Sequence, residues 1–155
     1  MMRNLVLATI ATFSIAHADP PVPDLTLTWD DGEMSSDASE WHTVITVTGT
    51  KVHYTSTYDG RDAGQPQTKP VKVDGVVKDP KRLAAALASL DAVKPGPTPK
   101  ARQTTAHRDS ACLHRAVKSD RCISHIDGDP ETADYKAFVE IRAAISDGLK
   151  LDATP

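Results

Sequence analysis

The chain reads as an α+β domain: an antiparallel, meander-like β-sheet with two amphipathic helices packed on one face. Three observations predict it. Apolar and polar residues alternate with period two in several short runs, two runs with helical spacing each follow an Asp-Pro pair, and the order is strands, helix, strands, helix.

The first eighteen residues stand apart from that fold. Arg3 precedes an uncharged apolar run of eleven residues, Leu5 to Ile15, and Ala16-His17-Ala18 has the small-x-small form that a signal peptidase accepts. The run is far shorter than the roughly twenty residues a membrane-spanning helix needs. Residues 1–18 are therefore expected to be a cleaved secretory signal, leaving 137 of the 155 residues with Asp19 as the mature start. Residues 19–24 form a proline-rich extended leader, and 25–150 one domain. The signal carries one positive charge and no negative one, so cleavage moves the net charge from -3 to -4. Scattered lysines and arginines offer no basic stripe for nucleic acid and no polybasic patch for a membrane.

Leu25, Leu27 and Trp29 alternate with Thr26, Thr28 and Asp30, which predicts a strand with one buried face. Asp31 to Glu40 is acidic and serine-rich, and reads as a loop. Trp41–Thr48 and Lys51–Tyr58 are β-branched and aromatic, and Gly49-Thr50 between them suits a two-residue hairpin turn. Pairing Thr48 with Lys51 sets Val47 opposite Val52, Ile45 opposite Tyr54, Thr43 opposite Ser56 and Trp41 opposite Tyr58. The large groups then share one face, and His42, Val44, Thr46, His53, Thr55 and Thr57 share the other, which is expected to be wet.

Asp59 to Pro66 reads as a loop from its turn residues, and Lys69–Val73 as a short strand with Val71 and Val73 inward. Asp79 as N-cap and Pro80 at the first helical position open a helix with Leu83, Leu87 and Leu90 on one stripe. It stops before Lys94-Pro95-Gly96-Pro97-Thr98-Pro99, an extended connection. Arg102–His107 reads as extended, Ala111–Val117 as a strand or short helix, Lys118–Arg121 as a turn and Cys122–Ile126 as a strand. Asp129-Pro130 repeats the cap-plus-proline start, followed by the stripe Tyr135, Phe138, Ile141 and Ile145 up to Gly148.

Cys112 and Cys122 are the only cysteines, and an even count in an exported chain predicts a disulfide. Closing their nine-residue loop is worth roughly 2.5 to 3 kcal/mol in the chain-entropy model. The competing arrangement is a zinc site made from Cys112, His114, Cys122 and His125, but its spacings are not those of a zinc finger and oxidation competes with thiolate ligation. His42 and His53 would lie about 13 Å apart along the sheet, too far to share an ion. Asp30, Asp31, Glu33, Asp37 and Glu40 lack the alternating pattern of a calcium loop. No metal and no cofactor is expected.

Catalytic signatures are missing: there is no Gly-x-Ser-x-Gly elbow, no His-Glu-x-x-His and no phosphate-cradling glycine loop. His107, Asp109 and Ser110 include the side chains of a hydrolytic triad, though sequence neighbours rarely adopt its geometry. The expectation is thus an exported, monomeric domain that acts by binding a protein or an extracellular ligand. Its contact surface is placed on two loops, with Asp31, Glu33, Asp59, Arg61 and Asp62 as contact residues. The alternatives are an exported hydrolase using His107, Asp109 or His114, and a structural envelope protein.

Overall fold

A computed structural model describes residues 18–33, 40–59, 69–96 and 107–150. The signal run, the central part of the acidic loop, Arg61 and Asp62, and the connection from Pro97 to Ala106 lie outside the described residues. In chain order the elements are β1 (Leu25–Glu33), β2 (Glu40–Thr48), β3 (Lys51–Asp59), β4 (Val71–Val76), α1 (Pro80–Ala92), β5 (His107–Arg115), β6 (Lys118–Ile126) and α2 (Ala133–Ser146). The six strands form one antiparallel sheet in the order β4-β3-β2-β1-β5-β6. The first four make a meander. The chain then crosses the sheet through α1 and lays β5 along the other side of β1, so β1 is central.

The β2–β3 hairpin has the register its side chains predict, from Thr48 opposite Lys51 to Trp41 opposite Tyr58. Gly49 takes φ +56 at the first turn position, the left-handed region that glycine enters without a Cβ penalty. Its N–H donates to the Asp24 carboxylate at 2.8 Å, and Val77 N–H to the Thr50 carbonyl at 2.9 Å, so the leader and the exit from β4 both hold the turn.

One sheet face carries the core. Leu25, Leu27, Ile45, Val47, Val52 and Leu113 pack under Leu83, Leu87 and Leu90 of α1 and Phe138, Ile141 and Ile145 of α2. The helices run antiparallel: near the start of α1, Arg82 meets Glu140 and Asp147 late in α2, while Gly96 beyond the end of α1 meets Asp134 at the start of α2. α1 is capped as its sequence predicts, with the Asp79 carboxylate accepting from Arg82 N–H at 2.9 Å. The Pro-initiated start expected at Asp129 is not the start of α2. After β6 the chain turns at Gly128, with φ +89, and Thr132 caps the helix through its hydroxyl to Tyr135 N–H at 3.3 Å.

Other boundaries also move. β1 runs in strand through Asp31 to Glu33 instead of ending at Asp30, because β5 and β2 pair with it on both sides. The turn expected at Lys118–Arg121 belongs to β6, and the hairpin reverses at Ala116-Val117. Lys118, Ser119 and Asp120 are exposed there, which an edge strand tolerates. β4 extends to Val76; Val73 packs against the core, whereas Val71 lies on the same face but is largely exposed at the uncovered end.

The opposite face holds the threonines and histidines predicted for it, and each of its histidines meets an aspartate: His42 with Asp30, His53 with Asp74 at 2.6 Å and His114 with Asp120 at 2.6 Å. Cys112 and Cys122 sit directly opposite one another on this face, with their sulfurs bonded and their Cα atoms 4.1 Å apart. Among the described residues no helix is long and apolar enough to cross a membrane.

Candidate functional site

On the core face, successive residue pairs of the sheet form rows whose chemistry changes along the strands. Tyr54, Ile45, Leu27 and Leu113 make one row, Ser56, Thr43, Trp29 and Ala111 the next, and Tyr58, Trp41, Asp31, Asp109 and His125 the last complete one. Period two alone places Asp31 in phase with Leu25, Leu27 and Trp29, and Asp109 and His107 in phase with Leu113 and Ala111. The positions that feed the core thus become ionisable where the sheet passes beyond it.

The row is tied together by named contacts. Asp109 accepts from Trp29 Nε1 at 3.3 Å on one oxygen and from the Tyr135 hydroxyl at 2.6 Å on the other. His107 Nε2 contacts Asp31 Oδ1, both side chains being partly exposed. One ligand atom each from Asp31, His107 and Asp109 lies within 4.8 Å of the others. His125 is about nine-tenths buried and stacks on the Tyr135 ring at 4.1 Å. Arg142 of α2 stands 4.7 Å over the Trp29 ring. At the β2–β3 side of the row, Trp41 and Tyr58 pair with centroids 4.8 Å apart, and Trp41 is 39% exposed.

Tyr135 is held in its neutral form. Burial is the main cause of its raised pKa, and the hydrogen bond to the Asp109 carboxylate adds to it, so the phenol donates and does not act as a base. Its position is set by its neighbour. Asp134, almost fully buried in the first turn of α2, accepts from the Thr132 hydroxyl, from Gly96 N–H at 2.5 Å and from Tyr135 N–H at 3.1 Å. Burial would raise the Asp134 pKa, but these donors together bring it below the usual carboxylate value.

Of the expected contact residues, Asp31 belongs to the row. Glu33 ends β1 opposite His107, and Asp59 ends β3 opposite Glu40, both at the same end of the sheet; Arg61 and Asp62 lie outside the described residues. The hydrolytic arrangement does not assemble. His107 and Asp109 lie on the core face, and strand alternation puts Ser110 and His114 on the other. The zinc arrangement fails likewise: Cys112 and Cys122 are bonded to each other, His114 faces Asp120, and His125 faces the helices. Trp29 and Tyr135 are the members that sequence reasoning missed, while Asp109 and His125 were weighed there only for hydrolysis and for zinc. The available signal was the phase of Leu25-Leu27-Trp29-Asp31, which runs on unbroken where composition alone suggests a loop.

A second feature lies at the opposite end of the sheet. A groove of about 570 Å³ is lined by Pro21, Pro23, Leu87 and Val117 and by Asp91, which pairs with Arg115 and Lys118. No protein-family model, curated protein or solved structure matches the chain.

Proposed function

We propose that the protein is an exported recognition domain that binds an extracellular ligand or partner protein through the end row of its core face. The signal pattern of residues 1–18 and the cysteine pairing support export. The observation that carries recognition is the in-register row itself. It sets an aromatic pair, exposed Trp41 and half-buried Tyr58, beside two carboxylates and the His125 imidazole, with His107 next along β5, at the end from which the 34–39 and 60–68 connections depart. Aromatic rings give a rigid apolar contact, and carboxylates accept hydrogen bonds from a ligand that presents donors around an apolar face.

A hydrolase has one observation in its favour, the approach of Asp31 to Asp109. Binding is preferred because both oxygens of Asp109 already accept hydrogens from Trp29 and Tyr135, and Ser110 points away. The test is capture by the immobilised mature chain from culture fluid and envelope extract, against a Trp41→Ala/Tyr58→Ala double variant of unchanged melting temperature. A ligand enriched by the parent and lost from the variant is the expected result. Equal capture by both, or none by either, overturns the assignment, the second outcome favouring the structural alternative.

A further inference from the structure

We propose that Asp31, His107 and Asp109 bind one divalent cation of the zinc and manganese class, through one imidazole nitrogen and two carboxylate oxygens. The three side chains come from two neighbouring strands. His107 and Asp109 are two residues apart on β5 and so share a face, and Asp31 stands directly opposite Asp109 on β1. Their ligand atoms lie within 4.8 Å of one another. Ligand atoms of a tetrahedral site with bonds of 2.0–2.1 Å are about 3.4 Å apart, so closure needs only side-chain rotation. Two carboxylates facing one dication balance its charge, and both members of the His107–Asp31 pair are partly exposed, which leaves an entry path.

The surroundings resemble those that orient metal ligands. Trp29 Nε1 and the Tyr135 hydroxyl each donate to a different oxygen of Asp109, fixing the carboxylate while leaving about half of its acceptor positions unused. A second imidazole, that of the mostly buried His125, lies opposite Asp109 in the register. The donor set sorts the metals. One nitrogen and two oxygens suit zinc or manganese, whereas calcium and magnesium favour all-oxygen sites. The simpler account is a self-sufficient His107–Asp31 ion pair that holds no metal. Three other histidines make such pairs on the opposite face, each with a single carboxylate, and only His107 has a second one within reach among the described residues.

The proposal does not depend on the recognition reading, because it uses neither Trp41 nor Tyr58. Its test is isothermal titration of the chelator-treated mature chain with zinc, manganese and calcium chlorides, with Trp fluorescence followed in parallel. One zinc per chain is expected, weakened at least about tenfold in His107→Ala and in Asp31→Asn, and unchanged in His114→Ala. The milder His107→Gln variant keeps the result readable if the alanine variant loses its thermal transition. Absence of stoichiometric zinc binding by the parent overturns the site, as does zinc binding that survives His107→Gln or disappears in His114→Ala.

Discussion

The Tyr135 hydroxyl, carried by α2, donates to the Asp109 carboxylate of β5 across 2.6 Å, and through it the second helix is fastened to the ionisable end of the sheet. Hydrogen bonds to charged groups are worth more than neutral ones, so Tyr135→Phe is expected to cost about 2 kcal/mol in urea unfolding. It removes one of the two donors that orient Asp109. A change within a few tenths of a kcal/mol would mean the bond contributes nothing net.

The same pair sets an alkaline limit. Burial and Asp109 raise the Tyr135 pKa in the folded chain, so the folded state keeps a proton that the unfolded state releases above its ordinary value of about 10. This contribution is complete below pH 10 and declines as pH rises above it. Melting temperatures from pH 8 to 11 should fall more steeply in the parent than in Tyr135→Phe; parallel profiles would contradict the linkage.

At the acid side, Asp91 accepts from Arg115 and Lys118 near the hairpin tip, and chiefly the hydrogen bond from Arg115 lowers its pKa from 3.8 to about 2. A depressed carboxylate contributes stability that is present above pH 3.8 and lost as pH falls toward 2. Asp91→Ala removes that window. It also strands Arg115, which is buried and whose Nε has no partner among the described residues, at a cost of about 3 kcal/mol or more. Equilibrium unfolding at pH 7 and pH 3 reads both effects.

Gly148 follows α2 where it passes β4, and a Cβ built there would lie 1.7 Å from the Val76 carbonyl oxygen. Backbone on both sides cannot yield as a side chain can. Gly148→Ala should therefore destabilise the fold by about 3 kcal/mol, at the upper end for overpacking. An unchanged unfolding midpoint would show that the end of α2 is free to lift from β4.

Reduction of the Cys112–Cys122 bond should lower stability by roughly 2.5 to 3 kcal/mol in the chain-entropy model, without loss of the helical circular-dichroism signal. The bond lies on the face opposite the core and touches none of the packed helical residues. Collapse of the fold on reduction would show that the bridge does more than limit the unfolded chain.

Where short-range physics decides, the residues disclose the structure. The Thr48–Lys51 register follows from segregation of large groups in Trp41–Tyr58, and the α1 cap from Asp79-Pro80. Where tertiary pairing decides, they mislead. Lys118-Ser119-Asp120-Arg121 looks like a turn because edge strands are allowed polar residues, while the real reversal at Ala116-Val117 carries no turn residue and leaves Val117 almost wholly exposed. The candidate site was half visible for the same reason. Asp31 was singled out for its charge, but His107, Asp109 and Tyr135 join it only through the β1–β5 pairing and the landing of α2, which no local window contains.

The central place of β1 bears on how the chain assembles. One neighbour, β2, follows it within a few residues, but the other arrives late: Thr28 bonds to the carbonyl of Cys112, eighty-four positions away. Pairings of such separation slow folding because a large loop must close before any contact rewards it. The β5–β6 hairpin is local and can acquire its covalent bridge alone. Two hairpin-based halves are thus expected to form first and to meet at the β1–β5 seam in the rate-limiting step. Refolding followed by stopped flow should then slow in Leu27→Ala, which lines that seam, and keep its rate in Val73→Ala on the outer strand.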